Sequence, residues 1–527
     1  MIARLLVIIL ALTAGIGASA NTGQQKTLRV AVQGDLNSLD PYTLNESHSL
    51  STLANVYEGL VKRDAKLEII PGLAERWEVL APRRWRFHLR KGVTFHDGTP
   101  FDADDVVFSA DRVRADGSQL KSRLPADAKI EKVDDHTVDI VLAQPNAVLL
   151  LEMETWLIMS RRWSEANGAL KVQPARAQSL GSFALKANGT GPFVLVSHVP
   201  GVKTVLRRNP AWWGKAEHNL DEIVLQTVAS DATRVAALLA GDVDLIDPVP
   251  LQDIDHVKSS RHASVLSAPE VRTIYLNLDS FRDELLYATV KGKNPFKDAR
   301  VRKAVYQAID IEAIRAKVMR GMSVPSALLL SPDMFARAGE FSRWPYDPAA
   351  ARRLMQEAGY AEGFGLTLDC PNDRYINDEE ICQAVAVMLA RIGIVVKVNS
   401  LPKARFFEKA GPTRKYDSSF NLVGWNAFDS WAPLTNVVRC RDADGKGGTF
   451  NFGGYCNPKI DKLTDAILVE PDTNRRNDMI AQAFRMLHED AGIIPLHQQA
   501  LAWGVAGGVT VVPRGDGHMR FHWVTKQ

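Results

Sequence analysis

Residues 85–109 read WRFHLRKGVTFHDGTPFDADDVVFS and contain one strand, one loop and the start of one helix. Apolar and polar side chains alternate over residues 85–89, which predicts a half-buried strand. A loop punctuated by two glycines and a proline follows. Three aspartates then crowd the first turn of a helix that begins near Phe101, where acidic side chains oppose the helix dipole. The stretch therefore predicts a strand that leads into a helix.

The same patterns recur on both sides of this stretch. Further strands are predicted at residues 27–33, 137–142 and 203–207. Helices are predicted at residues 299–319, 347–359 and 379–391. A buried strand at residues 394–398 is predicted to follow the last of them. Strand–helix–strand units at this spacing favour the α/β fold class with parallel pairing.

The first twenty residues have the order of a signal peptide. Arg4 supplies a short positive region, residues 5–17 form an apolar run, and residues 18–20 offer the small-residue pattern of a cleavage site. The run is shorter than the about 20 residues of a membrane span, and no Cys follows it to accept a lipid. We expect a mature chain that begins near Asn21 in the periplasm or a similar space. A retained N-terminal anchor is the alternative left open.

Charge and length limit the classes of function. The 527 residues carry a formal net charge of +3, which falls to +2 without residues 1–20. Nucleic-acid binding generally needs a concentrated basic face, so no nucleic-acid partner is predicted. The 12 histidines are scattered, so no metal site and no cofactor is predicted. A chain of this length exceeds one ordinary domain, and two or three domains are expected.

The four cysteines predict disulfides, because their number is even and the chain carries an export signal. Three pairings are possible, and we favour the two local ones, Cys370 with Cys382 and Cys440 with Cys456. Each closed loop would stabilise the fold by roughly 3 kcal/mol in the chain-entropy model. The spacing fits no redox or zinc pattern. Free buried thiols are the alternative.

Short catalytic signatures are absent from the sequence. His488-Glu489 resembles the start of a zinc-protease motif, but Gly492 stands where the second histidine ligand would be. No phosphate-binding P-loop, serine-nucleophile elbow or complete dinucleotide-binding glycine motif is present. The sequence therefore favours a protein that is not an enzyme, although many hydrolases also lack short signatures.

Nine segments together carry a resemblance to a known family. They are YEGLV (57–61), PGLAERW (71–77), the stretch 85–109, GTGPFVL (189–195), LRRNPAWWG (206–214), FKDARVRKAVYQAID (296–310), YDPAAARRLMQEAGY (346–360), FNFGGYCNPKIDKL (450–463) and HEDAGIIPLH (488–497). This set resembles the family 5 extracytoplasmic solute-binding proteins, the peptide, dipeptide and nickel-binding group that serves ABC importers. The likeness covers essentially the whole mature chain.

The resemblance implies a two-lobed periplasmic binding protein type II-like fold with an extra inserted subdomain in the first lobe. The first-lobe core would comprise residues 26–56, 181–277 and 498–527. The inserted subdomain would comprise residues 57–180, and the second lobe residues 278–497. Two crossover segments, at residues 275–278 and 497–499, would form the hinge that closes the lobes around a ligand.

The resemblance also implies which residues bind the ligand. A peptide needs a cation for its carboxylate and an acid for its ammonium. Arg374 resembles the family's carboxylate-binding arginine. In the segment Trp425-Asn426-Ala427-Phe428-Asp429, the family's ammonium-binding aspartate would stand at position 428, and here the acid comes one residue later. Asp429 is the predicted substitute, and the shift puts strict dipeptide specificity in doubt.

Six further residues are predicted to contact ligand, among them Asn426 beside Trp425. Trp425 and Trp431 would cover ligand groups, Tyr42 would face the mouth of the cleft, and Asn277 would offer a backbone-binding amide in a crossover. His497 lies in the other crossover. The alternative for each is an ordinary packing role, and for Arg374 it is a solvated position in a loop.

Together these features predict a periplasmic receptor that binds a short peptide or peptide-like solute. It would deliver that solute to the membrane permease of an ABC transporter, and it would act as a monomer. The first rival is another ligand on the same scaffold: haem, an opine, an oligosaccharide, glutathione or a metal chelate. The second rival is an exported hydrolase, which would need a nucleophile or paired carboxylates in one pocket. A third rival is a periplasmic chaperone or an adhesin-like protein.

Overall fold

The computed structural model describes residues 25–175, 179–442 and 447–527. The predicted signal peptide, residues 1–20, lies outside these ranges. Among the described residues, no helix combines the length and apolar character that a membrane crossing requires.

The strands alternate with helices along most of the chain. The strands are β1 (Thr27–Val32), β2 (Val61–Arg63), β3 (Ile69–Pro71), β4 (Ala74–Ala81), β5 (Arg84–Leu89), β6 (Lys129–Asp134), β7 (Thr137–Val141), β8 (Phe193–Val199), β9 (Lys203–Arg208), β10 (Glu222–Thr227), β11 (Leu245–Asp247), β12 (Ala263–Leu278), β13 (Ser323–Pro325), β14 (Phe364–Pro371), β15 (Ile394–Leu401), β16 (Phe420–Asn426), β17 (Ile493–Ala506), β18 (Val509–Thr510) and β19 (Thr525–Lys526). β12 and β17 are long enough to extend through more than one part of the molecule.

The helices become more frequent in the second half of the chain. The α-helices are α1 (Ser47–Leu53), α2 (Ala103–Arg114), α3 (Leu149–Glu152), α4 (Arg161–Ala166), α5 (Asp231–Ala240), α6 (Ile254–Ser259), α7 (Ala299–Ala308), α8 (Ile311–Ala313), α9 (Pro348–Glu357), α10 (Asp378–Ala390), α11 (Lys403–Ala410), α12 (Pro458–Val469) and α13 (Thr473–Glu489). Two π-helical turns, Ile314–Val318 and Leu434–Val438, interrupt the regular pattern.

One large mixed sheet runs through the molecule. Its strand order is β15-β14-β16-β12-β17-β11-β1-β10-β9-β8, and β13 pairs with β17 beside this path. β1 is parallel to both β10 and β11, and β14 is parallel to both β15 and β16. The sheet therefore has one parallel group at each side of the antiparallel pair β12 and β17, and each group forms the centre of one lobe. The predicted α/β fold class with two lobes is confirmed.

Two strands join the lobes. β12 and β17 pair over almost their whole length, and the pairing register shifts twice between Pro269 and Tyr275. Residues of β12 before these shifts pair beside β11, whereas residues after them pair with β16. The shifts therefore lie where the chain passes from one lobe to the other.

A separate four-stranded sheet, in the order β4-β5-β7-β6, stands apart from the large sheet. In β5, Trp85, Phe87 and Leu89 are buried, so the predicted alternation is confirmed. α2 packs on the same sheet. Its N-cap Asp102 accepts a hydrogen bond from the backbone N–H of Asp104 and forms a capping box with Asp105, which explains why the helix starts at this point.

Two local expectations were wrong in detail. Residues 299–319 form no continuous helix, because Asp310 accepts a hydrogen bond from the backbone N–H of Ala313 and begins a new helical segment there. The strand predicted as buried at residues 394–398 is β15, which lies at the edge of the large sheet, and its Val395 side chain is 67% exposed. Successive side chains of a strand point to opposite faces of the sheet, and α10 packs on β15, so Ile394 is buried while Val395 on the opposite face is exposed.

Both disulfides join the predicted local partners, Cys370 with Cys382 and Cys440 with Cys456. The first links the end of β14 to α10. The second joins the segment that follows the π-helical turn Leu434–Val438 to the segment before α12. Both lie in the second lobe, beside segments in which ligand-binding residues are predicted.

Candidate functional site

Two parallel strands of the second lobe end at the same edge of the sheet. β14 ends at Pro371 and β16 ends at Asn426. The hydroxyl of Tyr375 donates to the backbone carbonyl of Gly424 at 3.4 Å, so the loop after β14 contacts the end of β16. Ligands of open α/β sheets bind outside the carboxyl ends of the strands. The edge therefore places the loop that carries Arg374 beside the segment that carries Trp425.

Arg374 lies on a loop that is fixed at both ends. The carboxylate of Asp378 accepts hydrogen bonds from the backbone N–H groups of Arg374 and Tyr375, at 3.1 and 3.0 Å. The guanidinium group is exposed and lies 5.3 Å from the centre of the Tyr375 ring. The backbone of Arg374 is thus held in place, while its charged group is accessible to a ligand.

Trp425 and Asn426 present unpaired polar atoms. The indole Nε1 of Trp425 and the side-chain Oδ1 of Asn426 are buried, and neither has a hydrogen-bond partner in the described part of the chain. The Trp425 ring packs on Phe450 with 5.0 Å between ring centres. Buried polar atoms are costly to leave unpaired, so a donor and an acceptor are available here for a bound molecule.

Asp429 has one carboxylate oxygen engaged. Its Oδ1 accepts hydrogen bonds from the backbone N–H groups of Trp431 and Ala432, at 2.8 and 2.7 Å, and so begins the helical segment that follows. Burial raises the pKa of Asp429, while these two N–H groups and Arg63 act against that rise. The Trp431 indole donates to the backbone carbonyl of Thr464 at 2.9 Å, which gives Trp431 a packing role.

A chain of polar contacts crosses the region where the lobes join. Glu270 on β12 accepts hydrogen bonds from Arg272 at 3.0 Å and from Gln499 on β17 at 3.2 Å. The Arg272 guanidinium lies 5.8 Å from the Tyr375 ring centre. The two joining strands are thus connected to the loop of Arg374. Neither Glu270 nor Arg272 belongs to a recognisable motif, so no sequence pattern indicated them.

The three remaining predicted residues, Tyr42, Asn277 and His497, are buried in the interior of the protein. Tyr42 is 0% exposed and donates its hydroxyl to the backbone carbonyl of Leu157 at 2.5 Å, so it is part of the first-lobe core. Asn277 is buried in β12 and donates to the side chain of Asn421 at 3.1 Å. His497 is fully buried with both ring nitrogens unpaired, and burial lowers its pKa to about 3. In the sheet, Ile274 on β12 lies between His497 and Gly424, and Asn277 pairs with Asn421 on β16.

Charged residues from five separated segments of the chain interact with one another, through ion pairs or electrostatically. We call Arg63, Arg123, Glu152, Glu154, Asp429 and Arg520 the charged cluster. Arg63 and Arg520 flank Glu154, with nitrogen–oxygen distances of 3.9 and 3.8 Å. These distances are too long for hydrogen bonds. Arg63 is 3% exposed, Glu154 9% and Arg520 8%, so the three charges are buried with weak pairing.

The cluster extends across the boundary between the lobes. Arg63 donates to the backbone carbonyl of Phe428 in the second lobe at 3.0 Å. Glu152 interacts electrostatically with Asp429 and with Arg123. Burial, together with the negative charge of Asp429, raises the pKa of Glu152 to about 7. Guanidinium groups and carboxylates of the first lobe therefore interact with one carboxylate and one backbone carbonyl of the second lobe.

Among the described residues, two direct hydrogen bonds connect the opposing walls of the cleft. One is the contact of Arg63 with the carbonyl of Phe428. The other joins the backbone N–H of Ala147 to the backbone carbonyl of Leu468 at 2.8 Å. Both join the part of the first lobe around β2 and α3 to the second lobe, so the structure has its lobes in contact.

Sequence reasoning missed every member of the charged cluster except Asp429. Arg63 and Arg520 stand near opposite ends of the chain, and no periodic spacing relates them. Within the described ranges, no three His, Cys, Asp or Glu side chains are arranged to hold a metal ion.

Two lobes that share two strands, with unpaired polar atoms and weakly paired charges where they meet, define a protein that encloses a small polar solute. The model of the bacterial extracellular solute-binding proteins, family 5, matches residues 68–445. The chain belongs to this family.

Individual relatives match nearly the whole chain. The glutathione-binding protein GsiB of Salmonella paratyphi A is 26% identical over 480 residues, which cover 89% of this chain and 88% of the relative. The glutathione-binding protein GsiB of Escherichia coli O1:K1 is 25% identical over 478 residues, with the same coverage.

Solved structures share the fold. HbpA2 from Haemophilus parasuis superposes with a TM-score of 0.81 at 24% identity, covering 95% of this chain and 100% of that chain. The periplasmic binding protein DppA from Helicobacter pylori, solved in complex with the peptide STSA, gives a TM-score of 0.74 at 23% identity, covering 95% of this chain and 98% of that one.

Proposed function

We propose that this protein captures a short peptide or a peptide-like solute between its lobes and delivers it to the permease of an ABC transporter. The observation that carries the proposal is the meeting of Arg374, the unpaired atoms of Trp425 and Asn426, and Asp429 at the shared carboxyl edge of β14 and β16. An exposed guanidinium, an indole donor, an amide acceptor and a carboxylate together match the groups of a peptide.

The relatives support this class of ligand. Two of the similar proteins are named for glutathione, a peptide-like solute, and the Helicobacter pylori structure contains a peptide. The first rival comprises haem, an opine, an oligosaccharide, glutathione and a metal chelate, and of these glutathione is itself peptide-like.

The division into lobes remains a proposal at the level of residue boundaries. We retain residues 26–56, 181–277 and 498–527 for the first-lobe core, residues 57–180 for the inserted subdomain and residues 278–497 for the second lobe. The pairing of β12 with β17 shifts in register between Pro269 and Thr273 and again between Ile274 and Tyr275, and the second shift adjoins the predicted crossover at residues 275–278. The contact between Gln499 and Glu270 favours the predicted crossover at residues 497–499.

The remaining parts of the proposal concern place and partners. Export by a signal peptide cleaved near Ala20 would put the protein in the periplasm, where two disulfides form readily. The receptor would act as a monomer and would release its solute to the membrane permease without covalent chemistry.

Mass spectrometry of the ligand released on denaturing the purified protein tests the proposal. Protein that has been unfolded, washed and refolded serves as the control and should release nothing. We expect short peptides or peptide-like compounds. Recovery of only haem, sugar or metal would contradict the peptide assignment, and turnover of a peptide library at low protein concentration would favour a hydrolase instead.

Arg374→Ala tests the predicted carboxylate partner. Loss of one bidentate, charge-assisted contact should weaken peptide affinity at least tenfold, since such contacts contribute about 1.5–3 kcal/mol. Arg405→Ala is the matched control, because Arg405 has a similarly exposed side chain on the neighbouring helix α11. Unchanged affinity in Arg374→Ala would remove Arg374 from the site.

A further inference from the structure

We infer that the second lobe carries a further ligand site, an open cavity that takes a small organic anion in which a carboxylate is joined to an aromatic ring. We call it the Arg343 cavity. It is lined by residues 309–312 after α7, by Pro325 and Ala327 at the end of β13, and by residues 341–346 before α9. Its volume is about 430 Å³. A cavity of about 150 Å³ already holds a benzene ring, so the Arg343 cavity has room for a larger ring with a short substituent.

Arg343 places a guanidinium group with two free donors on the wall of this cavity. Its Nη1 donates to the backbone carbonyls of Ser326 at 2.8 Å and Leu496 at 3.3 Å, and also to that of Pro495. These contacts fix the group, whereas its Nε and Nη2 find no hydrogen-bond partner in the part of the chain that the structure describes. Nε and Nη2 lie on the same side of a planar guanidinium, and together they form the fork that binds both oxygens of a carboxylate.

Two cations near Trp344 have no acidic partner. The Nζ of Lys303 lies 5.2 Å from the centre of the Trp344 ring, and Arg343 directly precedes Trp344 in the chain. Within the described ranges, neither cation forms an ion pair. Burial and the positive charges of Arg343 and Lys303 lower the pKa of His488, whose ring centre lies 4.8 Å from that of Trp344. The electrostatic potential on this side of the lobe therefore favours an anion.

The two acids that line the cavity already have partners. Asp310 Oδ1 accepts a hydrogen bond from the backbone N–H of Ala313 at 2.9 Å and so begins α8. Glu312 is exposed and forms an ion pair with Arg315 at 3.4 Å. An ammonium entering the cavity would meet acids that are already bonded, whereas a carboxylate would meet cations that are not.

Aromatic rings supply the apolar part of the site. Phe341, Trp344 and Tyr346 line the cavity. The ring of Tyr306 lies 5.0 Å from that of Trp344, and the Arg343 guanidinium lies 4.6 Å from the Tyr306 ring centre. Aromatic rings pack favourably on one another in offset or edge-on arrangements. A ligand ring can therefore pack on these side chains while its carboxylate reaches Arg343.

The cavity is separate from the predicted solute site. Among the residues described, those that line the cavity form no hydrogen bond or ion pair with Arg374, Trp425 or Asp429. Its wall instead adjoins β17, where Pro325 pairs with His497. A molecule bound in the Arg343 cavity would accompany the transported solute rather than replace it.

Isothermal titration calorimetry on the purified full chain tests the site with three probes: indole-3-acetate, tryptamine and acetate. Tryptamine carries the same ring as indole-3-acetate but ends in an ammonium, and acetate lacks the ring. We expect indole-3-acetate to bind at least about tenfold more tightly than either, because each of the others lacks one of the two contacts. Comparable affinity for tryptamine or for acetate, or no binding of indole-3-acetate, would overturn the inference.

Two variants locate the bound anion. Arg343→Gln should weaken indole-3-acetate binding at least about tenfold. Its amide still offers a donor to the backbone carbonyls, and circular dichroism checks the fold. Lys303→Gln breaks no hydrogen bond of the described chain and should weaken binding about two- to threefold. Arg405→Ala is the control on an exposed arginine and should bind as the wild type does.

The outcome of these variants decides the inference even if Arg343→Gln fails to fold, because unchanged affinity in Lys303→Gln would then contradict it. Unchanged affinity in Arg343→Gln would also overturn it. Loss of indole-3-acetate binding in Arg374→Ala but not in Arg343→Gln would place the anion in the solute cleft and exclude the Arg343 cavity.

Discussion

Glu152→Gln should remove one specific part of the pH dependence of stability. Burial and the charge of Asp429 raise the pKa of Glu152 from 4.5 to about 7 in the folded protein. The folded state therefore binds more protons at Glu152 than the unfolded state between these two pH values. Stability contributed by this group is present below pH 4.5 and is lost as the pH rises through about 7.

The shift sets the magnitude of the effect. Each pKa unit corresponds to about 1.4 kcal/mol, so the rise from 4.5 to about 7 destabilises the protein at pH 8 by about 3 kcal/mol. Glutamine has nearly the same shape, keeps an acceptor for Asn146 and carries no charge at any pH. Glu152→Gln should therefore be about 3 kcal/mol more stable than the wild type at pH 8 and of similar stability near pH 4.5.

Urea denaturation of the two proteins at pH 4.5, 6 and 8 measures this difference. Glu165→Gln is the control, since the exposed side chain of Glu165 should give curves that follow the wild type. Other buried carboxylates titrate in both proteins, and so their contribution cancels in the comparison. A stability difference between wild type and Glu152→Gln that stays constant from pH 4.5 to 8 would refute the argument.

Three further predictions concern single contacts. Arg63→Met removes the hydrogen bond to the carbonyl of Phe428, so the ligand-free protein should shift toward an open form by about 1.5–3 kcal/mol; an unchanged radius of gyration in X-ray scattering would contradict this. Replacing Cys370 and Cys382 by alanine should cost roughly 3 kcal/mol of stability. It should also weaken peptide binding, because the disulfide joins the two ends of the loop that carries Arg374. Unaltered affinity would show that this loop keeps its position without the disulfide. Tyr42→Phe should lower the free energy of unfolding by about 1–3 kcal/mol and leave ligand affinity unchanged, because the Tyr42 hydroxyl donates to the buried carbonyl of Leu157. Weakened ligand binding without loss of stability would show that the Tyr42 hydroxyl contacts the ligand.

Local features of the fold were readable from the sequence because their causes are local. The alternation in Trp85-Arg86-Phe87 follows from the two-residue period of a strand, and the start of α2 follows from the capping chemistry of Asp102. The break at Asp310 was missed, although aspartate is a common N-cap, because the apolar pattern continues on both sides of it. The position of β15 at a sheet edge depends on strand order, which residue patterns do not encode.

Likewise, only those residues of the candidate site that lie in recognisable local segments could be predicted from the sequence. Arg374, Trp425 and Asp429 were predicted because they lie in segments that resemble those of a known family. Arg63, Glu154 and Arg520 were not predicted, since their proximity depends on how the inserted subdomain and the C-terminal segment pack against each other. Long-range convergence of this kind has no signature in the spacing of residues along the chain.

The pairing of β12 with β17 has a consequence for the independence of the second lobe. Asn277 and Ile493 are direct partners in this ladder, so their Cα atoms stand only about 5 Å apart. The chain leaves β12 after Asn277 and returns to β17 at Ile493, so the segment between them begins and ends at neighbouring positions. In the proposed division, the second lobe is a single continuous insertion with adjacent ends, a geometry that would permit it to be cut out as one piece and the gap to be closed with a short turn.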